Sequence, residues 1–243
     1  MYTLRNESAK DFIGTLKQVA AIGYAAVELA GTYGLSMNQL AKVLDDLGLK
    51  RAGAHTGVEP LEKDIDKVID DYHTLGSAFI TIPGLPGPYT ESAEAWKRTA
   101  GILDQAGAKL RKGGIQLSYH NHNHEFRQFG GKYALDILYE NSDPKNLHAQ
   151  IDTYWVQYAN VDPVAYMKTL TNRLSLVHIK DMADDERRSF TEIGEGVLDW
   201  DGIFAVAKEA KSKWLIVEQD SCARPPIESV RISFENLKKM GMA

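Results

Sequence analysis

Short apolar runs rich in β-branched residues recur along the chain, separated by longer stretches with helical spacing. The runs are "AAVELA" (25–30), "KRAGAHTG" (50–57), "AFITIPG" (78–84), "IQLSYHNH" (115–122), "LHAQIDT" (147–153), "LSLVHIKD" (174–181) and "WLIVEQD" (214–220). Each has the length and flanking turn formers of a strand, and the opening "MYTLR" would make eight. Between them, "SMNQLAKVLDDLGL" starts on a Ser36 cap and stops at Gly48, and "TLKQVAAIG" stops at Gly23. "DWDGIFAVAKEA" repeats apolar residues at intervals of three and four, the spacing of one helix face. Strand–helix alternation carried eight times, with no Gly/Ser/Pro linker, predicts one α/β domain over 1–243, a (β/α)8 TIM barrel. A doubly wound open sheet is the alternative, but the Gly-rich phosphate loop expected after its first strand is missing.

Length and composition agree with that picture. The 243 residues match the roughly 250 that such a barrel needs, and 44% apolar residues supply a core. A net charge of −5, with no basic run beyond "DERRSF", argues against a nucleic-acid partner. No apolar run approaches the roughly 20 residues of a membrane span, and "MYTLRNESAKDF" lacks a signal peptide's apolar stretch, so no membrane partner and a cytoplasmic location are expected. Cys222 is the only cysteine, which excludes an intramolecular disulfide and fits a reducing compartment. Two connections, "PGLPGPYTES" and "MADDERRSFTEIGEGVLDW", are long and follow strand C-termini, where this architecture builds its sites. Gly194 and Gly196 in the second would let it turn over the site, or serve an ordinary loop.

Candidate chemistry lies at the strand ends. His55 closes "AGAH", His120 closes "LSYH", Asp152 ends "HAQID", His178 and Lys180 end "LVHIK", and Glu218 ends "LIVE". In a parallel barrel all of these reach one rim. Carboxylates and neutral imidazoles converging there suit a divalent cation (Mn, Mg, Co, Zn or Fe), and the lack of thiolates argues against a closed structural zinc site. The plainer reading is an ion-pair belt in which Lys180 and Arg5 neutralise Asp152 and Glu218. In "LSYHNHNHEF" three of the chain's seven histidines alternate, so a strand continuing through them would send His120 and His122 to one face. Trp155 could stack on a sugar face, though it, Tyr154, Phe126 and Trp200 equally suit plain packing. His55 is expected to donate to substrate or to rest as a core histidine, and Glu28 in "VELAG" to bind a hydroxyl or pair with Arg5.

The ordered set "SYHNHNHEF", "IDTYW", "VHIKDM", "GEGVLDW" and "VEQD" resembles the sugar phosphate isomerase/epimerase family of xylose isomerase-like TIM barrels, also called the AP endonuclease family 2 superfamily. That resemblance runs from "MYTLRNE" to the last helix. It implies a divalent metal held by strand-end residues, here Asp152, His178 and Glu218. It further implies a small sugar, sugar phosphate or cyclitol substrate, and frequent homo-oligomers. Many epimerases of the family place a glutamate where this chain has His120, so the fourth ligand is expected to be His120, with Glu125 from the following loop as the alternative. The implied activity is isomerisation or epimerisation by proton abstraction next to a carbonyl, with Glu218 as base and an acid drawn from His122, Glu125 or Lys180. Substrate contacts are expected from His55, Trp155, Glu28 and Arg5. A dehydratase acting on a keto-sugar or inosose uses the same first step. A DNA-repair endonuclease of the same fold would need more metal ligands and a basic face, and a non-catalytic sugar-binding barrel would leave the convergent ligands without a purpose.

Overall fold

The computed structural model describes residues 1–242. Seven parallel strands follow one another around a single sheet in chain order: β1 (Ala26–Leu29), β2 (Lys50–His55), β3 (Phe79–Ile82), β4 (Gln116–His120), β5 (Leu147–Asp152), β6 (Leu174–Ile179) and β7 (Trp214–Val217). Helices between them pack outside, as right-handed parallel crossovers require. Local chemistry explains where those helices begin and end. Ser36 and Gln39 form a reciprocal capping box before Met37–Asp46, and Asp64 caps Ile65–Leu75. Gly23, at φ 117°, ends Phe12–Ile22 in the left-handed conformation that a side chain would resist. Both faces of the sheet are covered, so the central strands β3 to β6 bury most of their residues, including Ile80, Leu117, Ile151 and Val177.

The expected first strand is a correction. Among residues 1–10, Tyr2–Leu4 form a 3-10 turn that runs into the helix Arg5–Lys10. "MYTLR" is too short to carry a period, and burying Thr3 and Leu4 is achieved as well by a helical turn as by a strand. This segment crosses the seam between β1 and β7, which do not pair with each other among the described residues. The Met1 ammonium donates to the Glu28 carbonyl at 2.7 Å, and the Thr3 hydroxyl accepts from the Gln219 amide at 2.9 Å. The barrel is therefore nearly closed, and an apolar cavity of about 290 Å³ lies along the seam, lined by Val19, Val27, Leu215, Val230 and Leu237.

Strand register sets up the rim. Asp152 on β5 pairs with His178 on β6, and His120 on β4 pairs with Gln150 on β5. The end of β4 lies two residues behind that of β5 in this register, while Asp152 and His178 are level near the ends of β5 and β6.

Candidate metal centre and active site

Five of the expected residues come together at the C-terminal rim. His178 Nδ1 lies 3.9 Å from Asp152 Oδ2 and 3.6 Å from Glu218 Oε1, and His120 Nε2 lies 3.9 Å from the same Asp152 oxygen. Lys180 Nζ stands 2.8 Å from Asp152 Oδ2 and 2.7 Å from Glu218 Oε1. It also donates a hydrogen bond to Asp220 Oδ1 at 2.8 Å. Asp152, His178 and Lys180 are fully buried, and His120 and Glu218 nearly so.

Charge is balanced inside this cluster. Burial opposes the charge on His178, but Glu28 and Glu218 outweigh it and raise its pKa to about 10. Burial likewise opposes charge on Lys180, yet Asp152, Glu218 and Asp220 hold its pKa well above the usual amine range. The two carboxylates that share Lys180 move in opposite directions. Burial raises Asp152 to about 6 despite Lys180, whereas Lys180 and His178 overcome burial at Glu218 and keep it well below its ordinary value. Burial holds His120 well below its usual value, and therefore neutral.

Behind the rim sits Glu28. Its Oε2 accepts from His178 Nε2 at 2.7 Å and from His55 Nε2 at 3.0 Å, and its Oε1 accepts from Gln150 Nε2 at 2.5 Å. Glu28 does not pair with Arg5, whose guanidinium instead donates to the Asp220 carbonyl at 2.8 Å and lies over the Tyr2 ring. The carboxylate accepts the Nε2–H of His178 and so aims its Nδ1 at Asp152 and Glu218, as carboxylates commonly do behind metal-binding histidines. With the pKa at about 10 that nitrogen is protonated, and a metal ion would have to replace its proton.

These residues fit a divalent ion. His178 Nδ1 is buried with no hydrogen-bond partner, and His120 Nδ1 is likewise buried and unpartnered. Donor separations of 3.6–3.9 Å are close to the spacing of ligands each about 2.0–2.2 Å from a common centre. An ion-pair belt accounts for Lys180 and for His178 on Glu28, but leaves the neutral His120 imidazole idle.

The histidine repeat separates into three environments. Its strand ends at His120, whose ring lies 4.8 Å from that of His122 in an edge arrangement. His124 is largely exposed and hydrogen-bonds Glu125 at 3.0 Å. Glu125, although buried, is turned into the loop: it accepts from the Tyr119 hydroxyl at 2.7 Å and from the His122 amide at 2.8 Å. Trp155 begins the outer wall, 5.7 Å from the His122 ring, and with Tyr154, Tyr158, Phe190 and Cys222 it lines a recess of about 460 Å³.

Three further residues support this site and carry no strong sequence signal. Asn121 accepts from the Asp152 amide at 3.0 Å, and Gln150 braces Glu28. Asp181 accepts from the amides of Gly194, Gly196 and Leu198 and from Trp200 Nε1, folding the "GEG" loop down against β6. A Cβ on Gly196 would lie 2.3 Å from Asp181 Oδ1, which is why that loop position is glycine. The fourth, Asp220, was readable at the end of "WLIVEQD", but only the fold puts it on Lys180.

The family model of the xylose isomerase-like TIM barrels matches residues 16–240. The chain belongs to that family. It is similar to an inosose dehydratase of Clostridium beijerinckii, at 25% identity over 89% of this chain and 85% of the relative. An inosose dehydratase of Lacticaseibacillus casei matches at the same identity and coverage. The structure of this chain superposes on that of a sugar phosphate isomerase/epimerase from Parabacteroides distasonis with a TM-score of 0.86 and 26% identity, over 98% of this chain and 91% of the other. The family is one of sugar-processing enzymes, and no helix among the described residues is long and apolar enough to cross a membrane.

Proposed function

We propose that this enzyme abstracts the proton next to the carbonyl of a keto-sugar or keto-cyclitol and then expels a β-hydroxyl as water, a lyase reaction. The observation that carries this reading is the asymmetry of the rim. The rim carries one carboxylate base, Glu218, and one protonated amine, Lys180, which also reaches Asp220 at 2.8 Å, while the end of β4 holds His120, an imidazole. Epimerisation through two opposed carboxylates needs a second acid where His120 stands. Elimination needs one base and one proton donor near each other.

His120, Asp152, His178 and Glu218 would hold the divalent ion, whose chemistry when bound is Lewis-acid polarisation of the substrate carbonyl. Glu218 takes the C–H proton, the freed electron pair forms the new carbon–carbon double bond, and the β carbon–oxygen bond breaks. The departing hydroxide takes a proton from Lys180 and leaves as water; hydroxide is far more basic than an amine, so the raised pKa of Lys180 does not prevent the transfer. Trp155 and His122 stand where the outer substrate face would rest. The dehydratase relatives support this outcome, and the Parabacteroides structure supports the second reading, in which the same intermediate is reprotonated to an isomer or epimer.

Incubating Mn²⁺-treated protein with inososes and keto-sugars in D₂O, followed by mass spectrometry and proton NMR, separates the two. A product lighter by one water, lost in Glu218→Gln, supports the lyase. Deuterium incorporated at unchanged covalent formula supports the isomerase, and turnover with no exchange of carbon-bound protons would remove Glu218 from the role of base.

A further inference from the structure

We propose that Lys180 is a built-in counter-cation of the metal centre, and that a divalent ion enters by displacing its ammonium from Asp152 and Glu218 onto Asp220. This inference rests on the reading that the rim binds such an ion. Lys180 Nζ touches three carboxylates, Asp152, Glu218 and Asp220, at 2.8, 2.7 and 2.8 Å. The first two oxygens, Asp152 Oδ2 and Glu218 Oε1, are the same atoms that face His178 Nδ1 and would serve as donors. With Nζ bridging both oxygens, a divalent ion bridging the same pair would meet the ammonium at close range, and two like charges in a buried site repel strongly.

The contacts are not equivalent. Lys180 meets all three oxygens at hydrogen-bonding distance, but the Asp152 and Glu218 oxygens are buried and face His178, whereas Asp220 is partly exposed and does not. Asp220 is partly exposed and pairs with Lys180 alone among the described residues, so it competes for no histidine. A lysine on a flexible four-carbon stem can move between these positions, as a rigid arginine fork cannot. In both states every buried carboxylate keeps a counter-charge: one ammonium shared three ways without the ion, and the ion on two carboxylates with the ammonium on the third afterwards.

The test is calorimetric titration of Mn²⁺ into the chelator-treated full chain, with melting temperatures recorded with and without Mn²⁺. Lys180→Met should bind Mn²⁺ about tenfold more tightly than the parent, melt lower without the ion, and gain more from it. Asp220→Asn, near the surface and expected to fold, should bind more weakly, because the displaced ammonium loses its acceptor. Asp152→Asn should abolish binding in either background. If the parent binds Mn²⁺ through Asp152 but Lys180→Met binds no more tightly, or Asp220→Asn binds no more weakly, the exchange is wrong and the metal centre stands. If neither the parent nor Lys180→Met binds Mn²⁺ or is stabilised by it, the metal reading fails and takes the exchange with it.

Discussion

Glu28→Gln tests whether Glu28 works through His178 or on the substrate. The change keeps shape and volume at a side chain only 3% exposed. A glutamine carbonyl can replace Oε2 as acceptor for His55 and His178, and its amide group would then face Gln150. Gln150 Oε1 is buried without a partner, so that side chain can turn over and accept. The variant therefore keeps its hydrogen bonds and loses their charge. Two charge-assisted bonds worth about 1.5–3 kcal/mol each become neutral ones worth about 0.5–1.5, a loss of about 2–3 kcal/mol in folding stability without metal. Weakening the carboxylate behind a metal-binding histidine costs about 10–100-fold in metal affinity, or about 1.4–2.7 kcal/mol. Urea unfolding in chelator measures the first quantity, and Mn²⁺ titration the second. Unchanged Mn²⁺ affinity combined with a raised KM would place Glu28 on the substrate and refute the positioning argument.

His120→Ala should lower Mn²⁺ affinity by tenfold or more, whereas Glu125→Gln should leave affinity nearly intact and cost about 1–3 kcal/mol in urea unfolding, since its carboxylate is committed to Tyr119 and the His122 amide. Asp181→Ala strands the amides of Gly194, Gly196 and Leu198 and should destabilise the fold by about 2–4 kcal/mol and expose the 182–200 loop to limited proteolysis. Burial, aided by Arg173, pushes His148 from 6.5 down to about 4, so the unfolded chain binds its proton first. Its contribution is complete above about pH 6.5 and is lost as pH falls toward 4, and His148→Gln should flatten the fall of the urea midpoint across that window.

Seven strands, their parallel order and the rim they share were legible because a strand buried on both faces must be almost continuously apolar, and a polar residue at its end has only the rim to occupy. His120, Asp152, His178, Lys180 and Glu218 could be named for that reason alone. "MYTLR" misled because five residues contain no period that separates a strand from a helical turn, and what decides it is contact with Glu28 and Gln219, which lie far apart in the chain on the two sides of the seam. From the sequence Glu28 is expected to bind a hydroxyl or to pair with Arg5; register and barrel curvature bring it not to Arg5 but against His55 on the next strand and His178 on the far side. Glu125 is in the sequence the alternative to His120 as fourth ligand; the 3-10 turn at His124–Phe126 places its carboxylate on the His122 amide and the Tyr119 hydroxyl, beside His122 and His124. Sequence pattern determined which residues arrive at the rim, since burial and alternation are local properties. Which of their atoms face one another, and how three carboxylates come to share one lysine, was decided only when strands distant in the chain closed around a common centre.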